Sequence, residues 1–183
     1  MAETLSGKNN PAGRLPVTFY KSVDQLPPFE DYAMKGRTYR YFTGTPLYPF
    51  GYGLSYTKFS YSDLSVPTQS VAAGDPVSAE VTVTNSGSRA GDEVVQLYLK
   101  FPDVPGAPLR ALRGFERVHL AAGASQKVHF ELKNRDLSMV TEAGEPVIAE
   151  GDYSLSVGGG QPGTSAQTLT GNFHINGTKT LPE

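Results

Sequence analysis

With 183 residues, 38% of them hydrophobic, the chain is long enough for one packed domain and an appendage. Sixteen basic and eighteen acidic residues leave a net charge of -2, which implies no polyanion-binding field. Cysteine is absent, excluding disulfides, thiolate metal sites and cysteine nucleophiles. No apolar run approaches the ~20 residues of a membrane span. Residues 1–7 lack the charged and apolar regions of a signal peptide, so no export address is expected in this stretch.

Residues 2 to 6 read as the last turn of a helix, closed by Gly7 at the C′ position. Asn9 to Gly13 follow as a turn, and Leu15 to Tyr20 as a short strand. A helix remnant and one strand cannot bury their own faces, so residues 1–20 read as torn from a larger domain. Residues 21–57 are expected to be an extended linker of unusual composition. Eleven of the chain's nineteen aromatics fall between residues 19 and 56, with no period of 2 or 3.6. Pro46 and Pro49 remove backbone donors, while Gly44, Gly51 and Gly53 permit turns. Such a segment must lie against a surface, because free in water it would expose a large apolar patch.

The texture changes near Lys58. Val77, Ala79, Val81 and Val83 alternate with polar residues, as do Val95, Leu97, Leu99 and Phe101, then Val128, Phe130 and Leu132, then Tyr153, Leu155 and Val157. Phe59 and Tyr61, the stretch from Leu109 to Val118, and Leu169, Phe173 and Ile175 supply further strands. Twenty glycines and fourteen prolines fit the many turns required. The expected fold class is all-β: an immunoglobulin or fibronectin type III-like antiparallel sandwich over residues 58–177, with residues 178–183 as a tail.

Candidate chemistry is sparse. His119, His129 and His174 lie far apart on polar strand faces, whereas metal ligation needs three or four converging donors. Glu30 and Asp31 are adjacent in an extended segment and point apart, unlike the two carboxylates of a glycosidase. Gly158-Gly159-Gly160 precedes no helix that could present amides to a phosphate and reads as a turn at a strand end. Asn176-Gly177-Thr178 matches a glycosylation acceptor, a pattern common by chance. No catalytic residue, cofactor site or metal site is assigned. Lys35, Arg37 and Arg40 interleave with Tyr39, Tyr41 and Phe42, and two readings compete: a nucleic-acid surface, or arginines stacked on tyrosines in an interdomain seam. The near-neutral charge favours the seam. Arg14, Arg37, Tyr39, Arg40, Tyr41, Phe42, Tyr48, Phe50, Tyr52 and Tyr56 are the candidate interface residues. The part from Arg37 to Tyr56 should fold back on the sandwich, partly burying Tyr41, Phe42, Tyr48, Phe50 and Tyr56. Residues 1–36 should be the loosest part of the chain.

Four segments resemble the C-terminal third of glycoside hydrolase family 3, the β-glucosidases, β-xylosidases and related exo-acting enzymes. They are Asn10 to Thr18, Gly36 to Phe42 with Tyr48 to Tyr56, Val83 to Tyr98, and Leu112 to Leu120, in the family's order. The last two look like its fibronectin type III-like domain. The resemblance implies that residues 1–20 close an α/β sandwich domain and that residues 21–57 tie domains together. It also implies a catalytic aspartate on a barrel and an acid–base glutamate upstream of this chain, and matches no residue here to either. The implied partners are the missing catalytic domains, in the same or a separate chain, and a polysaccharide; neither nucleic acid nor membrane is expected. The parent is expected to be periplasmic or secreted. Arg37-Thr38-Tyr39-Arg40-Tyr41-Phe42 looks more like the xylosidase-type branch. The rival reading is a free-standing immunoglobulin-like module binding carbohydrate or protein, which should display an aromatic platform on a polar sheet face.

Overall fold

The computed structural model describes residues 2–182; Met1 and Glu183, at the two ends of the expected remnant and tail, lie outside the described residues. Two antiparallel sheets carry the fold. The first is formed by β1 (Phe59–Ser65), β3 (Val77–Asn85) and β6 (Ser125–Leu132) in the order β1-β3-β6. The second joins β2 (Val71–Ala72), β4 (Gly91–Lys100), β5 (Ala111–Leu120), β9 (Gly151–Gly158) and β10 (Thr168–Asn176) in the order β2-β10-β9-β4-β5. Only the short β2 runs parallel to its neighbour. A small third sheet is made by β7 (Met139–Val140), β8 (Pro146–Ile148) and β11 (Lys179–Thr180).

The alternation read from the sequence sets the register. Val81 lies opposite Val128 and Leu97 opposite Val157, so each pairing places apolar side chains on one face. Val77, Val81, Val83, Val95, Leu97, Leu99, Leu155 and Ile175 are completely buried between the sheets. Each such side chain contributes about 1.5–3 kcal/mol. Tyr153 stacks on Phe173 at 5.4 Å and meets Phe101 edge-on, while its hydroxyl donates to Ala149 O at 2.8 Å. The all-β sandwich is thus observed.

The segments flanking it differ from expectation. α1 (Ala2–Leu5) ends as read: Gly7 has φ 74, and the Lys8 amide bonds back to Glu3 O. Residues 15–20 form no regular strand. They run beside residues 47–52, with Leu15 N on Tyr52 O, Gly51 N on Leu15 O and Phe19 N on Tyr48 O, but only Phe19 and Tyr48 make a bridge. Pro16 and Pro49 lack the N–H groups a continuous ladder needs. The linker is not extended throughout either. It contains a 3-10 turn at Val23–Gln25 and one helical turn, α2 (Thr38–Tyr41), entered through Thr38 at φ 55, a strained conformation for a β-branched residue. Its amide donates to Tyr20 Oη, which helps to hold that geometry. The expected tail is also corrected. Lys179 and Thr180 pair with β8 and Leu181 is buried, because its side chain completes the core beneath the third sheet.

Candidate functional site

The linker lands on the outer face of the five-stranded sheet, where Gln96 and Tyr98 project from β4. Gly51 makes the closest approach. Its φ is 79, and its carbonyl accepts from Gln96 Nε2 at 3.1 Å. A Cβ there would sit 2.2 Å from Gln96 Oε1 and 2.6 Å from Tyr98 Oη. Tyr98 donates to Gln96 Oε1 at 2.6 Å, so both buried side chains are committed to this contact. Burial pushes the Tyr98 phenol above its ordinary range, which keeps it a donor. Beside it, Tyr39 stacks on Phe50 at 4.2 Å, meets Tyr98 edge-on and accepts the Leu112 amide. Gln161 Nε2 donates to Phe50 O, and the Leu109 amide to Arg40 O.

A second anchor fastens the N-terminal segment. Arg14 reaches into the sandwich and bonds Glu93 Oε1 at 2.8 Å, both side chains nearly buried. Burial raises the Glu93 pKa and the neighbouring Arg14 charge opposes that rise. Asn10 Nδ2 donates to Ala90 O, while its Oδ1 accepts from Ser55 Oγ and the Tyr56 amide. Arg89 bonds Gly7 O, and Tyr56 Oη donates to Thr4 O. The first twenty residues therefore do not dangle; these bonds, with those of Leu15, Phe19 and Tyr20, tie them to linker and sandwich. Nearby, the wholly buried Asn85 accepts from Thr57 Oγ1 and donates to Arg89 O and Leu120 O.

The candidate interface residues divide between two roles. Arg14, Tyr39 and Phe50 spend their chemistry inside the chain. Arg37 does likewise: it donates to the carbonyls of Pro28, Asp31 and Ala33, holding the 28–33 loop. Among the described residues it is not stacked on a tyrosine, and neither is Arg40; the cation–π contacts there are Arg89 over Tyr56 and Arg113 over Phe101. A guanidinium offered three carbonyls is better satisfied than one over a ring. Phe42 packs edge-on against Tyr20, and Tyr48 against Phe19 and Tyr52, so these rings rest on their own segment. Tyr48 and Tyr56, expected to be partly buried against the sandwich, are 43% and 47% exposed, Tyr56 lying beneath Arg89. Arg40 is exposed as well, while Tyr41 and Tyr52 are half-buried.

The exposed large apolar side chains concentrate strongly. Leu5, Val17, Phe19, Val23, Phe29, Tyr32, Met34, Leu47, Tyr48, Leu54 and Tyr56 all precede the first sandwich strand; among the described residues only Leu109, Phe115 and Val140 follow it. Phe29 and Tyr32 are almost fully solvated. The histidines do not converge. His119 pairs with Asp92 and His174 with Asp152, and among the described residues no three acidic or histidine side chains group as a metal site. Glu93, Gln96, Tyr98, Asn10 and Asn85 escaped the sequence reading. Glu93 left a signal: it occupies an inward position of β4 between Gly91 and Val95, where an acid needs a partner.

Two family models match, the glycosyl hydrolase family 3 C-terminal domain over residues 1–56 and the fibronectin type III-like domain over residues 93–161. A xylan 1,4-beta-xylosidase of Xylanibacter ruminicola is 42% identical over 85% of this chain and 19% of its own length. A periplasmic beta-glucosidase of Salmonella typhimurium is 34% identical over 96% of the chain and 24% of its own length. The solved beta-glucosidase 3B of Thermotoga neapolitana overlays the whole chain on 27% of its own, with 33% identity and a TM-score of 0.86. The chain thus spans about a quarter or less of these relatives. Both models in sequence order, and a whole-chain overlay at this identity, lead to one assignment: the chain belongs to glycoside hydrolase family 3, matching its C-terminal domain and its fibronectin type III-like domain.

Proposed function

We propose that the chain is the non-catalytic C-terminal part of an exo-acting β-glycosidase for β-linked xylose or glucose, and that it braces the catalytic domains. The observation that carries this reading is the one-sided exposure. The sandwich closes its own core, whereas residues 5–56 leave an apolar flank in water, a surface made to be covered. Arg40, Tyr48, Tyr52 and Tyr56 would belong to that footprint, with Phe29 and Tyr32 as its outermost contacts. Non-catalysis is supported by the clefts. Four surface clefts contain one carboxylate between them, Glu93, and it is tied to Arg14. Glycoside hydrolysis uses two. A parent working outside the cytoplasm is supported by the periplasmic relative.

The test is a chimera in which this chain replaces the matching segment of the xylan 1,4-beta-xylosidase relative. It should hydrolyse an aryl β-xyloside, while the chain alone should not exceed a buffer blank. Phe19→Asp with Leu54→Asp should abolish that activity and leave the isolated chain folded. An inactive parent chimera, or one indifferent to the two charges, would overturn the bracing role.

A further inference from the structure

The bracing role leaves one polar cleft unused. It opens between residues 52–61 of the linker and β1 and the turn after β9, and has a volume of about 520 Å³. Ligand sites typically occupy about 300–1,000 Å³. Its floor is built from Glu93, Tyr61 and Arg14, exposed by 3%, 6% and, for the Arg14 side chain, 12%. Two atoms at this floor are buried and unpartnered. Tyr61 Oη lies against the Glu93 carboxylate but makes no hydrogen bond of good geometry, and Arg14 Nε has no acceptor. An unmade hydrogen bond on a buried group is costly, so the floor is chemically incomplete.

The lining constrains what would complete it. Arg14 neutralises Glu93, so neither a free anion nor a free cation gains from entering. A purely apolar ligand would leave Tyr61 Oη and Arg14 Nε unpaired. Ser55, Ser60, Thr164 and Ser165 surround the opening with hydroxyls, and the half-buried rings of Tyr52 and Phe59 supply apolar walls. The Glu93 carboxylate can accept from one ligand hydroxyl, while the Arg14 guanidinium and the Tyr61 phenol beside it donate to the neighbouring one. Vicinal hydroxyls over a C–H face are the chemistry of a sugar ring. We propose that this cleft binds a neutral pyranose unit, as in a short β-linked saccharide, at a site separate from catalysis.

Gly159 supplies the control. Its backbone is in an ordinary region, and an added Cβ would lie 3.1 Å from Glu93 Oε1 and 3.4 Å from Tyr61 Oη, capping the floor. The experiment is an amide NMR titration of the isotopically labelled chain with methyl β-xyloside, xylobiose and cellobiose. Saturable shifts should appear at Ser60, Gly159, Gly160 and Thr164. Tyr61→Phe, which keeps the ring, should weaken binding roughly tenfold, as the loss of one hydrogen bond to a sugar hydroxyl predicts. Gly159→Ala should abolish the shifts while leaving the remaining spectrum in place. Absence of saturable shifts would overturn the proposal, meaning that the cleft holds only water. Shifts centred on Phe29, Tyr32 and Tyr48, unaffected by both variants, would overturn it equally.

Discussion

Gly51→Ala should release the linker from the sandwich without unfolding the sandwich. Two effects add. Alanine at φ 79 costs about 1–2 kcal/mol from Cβ and carbonyl crowding. The new Cβ also cannot coexist with Gln96 Oε1 at 2.2 Å. Gln96 has no room to retreat, being 2% exposed and engaged with Tyr98, Gly51 O and Gly159 O. Its displacement breaks at least one buried hydrogen bond, at about 1–3 kcal/mol. Gly163→Ala isolates the second effect. Gly163 has φ 76 with nothing within 4 Å of the added carbon, so it should show the conformational cost alone. The assay is amide hydrogen exchange. Relative to Gly163→Ala, exchange at Leu15, Gly51 and Leu112 should accelerate roughly tenfold to a hundredfold, because Leu112 donates to Tyr39 across the docking contact and the Leu15 and Gly51 amides join the N-terminal segment to the docked stretch. Val81 and Leu97, in the core, should retain their protection. Equal exchange in the two variants at Leu15 and Leu112 would refute the argument, as would a loss spread evenly through β3 and β4.

Asn85→Ala should lower stability by roughly 3 kcal/mol or more in chemical denaturation, since it orphans Thr57 Oγ1 and the carbonyls of Arg89 and Leu120 in a dry site; a change within 1 kcal/mol, about one hydrogen bond, would contradict that. Hydrogen bonds from His119 and Arg117 hold the Asp92 pKa below its ordinary 3.8, so its contribution is present above that value and lost as pH falls beneath it. The stability gap between wild type and Asp92→Asn should therefore be visible near neutrality and close under acid; a gap constant down to the acid limit would be inconsistent. Arg37→Met should free the 28–33 loop and speed tryptic cleavage after Lys35, whereas an unchanged rate would show that the three carbonyl contacts do not hold it.

The sandwich was legible because a half-buried strand writes its environment into alternate residues: every side chain from Val77 to Val83 at an odd position is buried. The linker carries no such record. Its aromatic density announces a covered surface, but which ring meets which is decided by contacts across long stretches of sequence. Tyr39 finds its place only because Phe50 and Tyr98 approach from either side, 11 and 59 residues further along. Arg37 read as a stacking partner because its neighbours are tyrosines, yet three backbone carbonyls from a loop upstream outcompete them. The short strand from Leu15 failed for a local reason that was available, Pro16, which removes a donor near its start.

The polar residues of the anchors explain why the N-terminal segment holds its position without a core of its own. A segment of this size buries too little apolar surface to offset its ordering entropy. Asn10 and Arg14 supply instead a few directed bonds to groups that the sandwich has already fixed, namely Ala90 O and the Glu93 carboxylate. Because β4 is rigid, the entropic cost falls on the segment alone. The result is a polar attachment on the side facing the sandwich and apolar side chains such as Val17 and Phe19 on the side facing away. A segment built in the opposite sense, with Val17 and Phe19 inward, would leave less for another surface to cover. In this chain those side chains are withheld from the sandwich, as the proposed bracing of further domains requires.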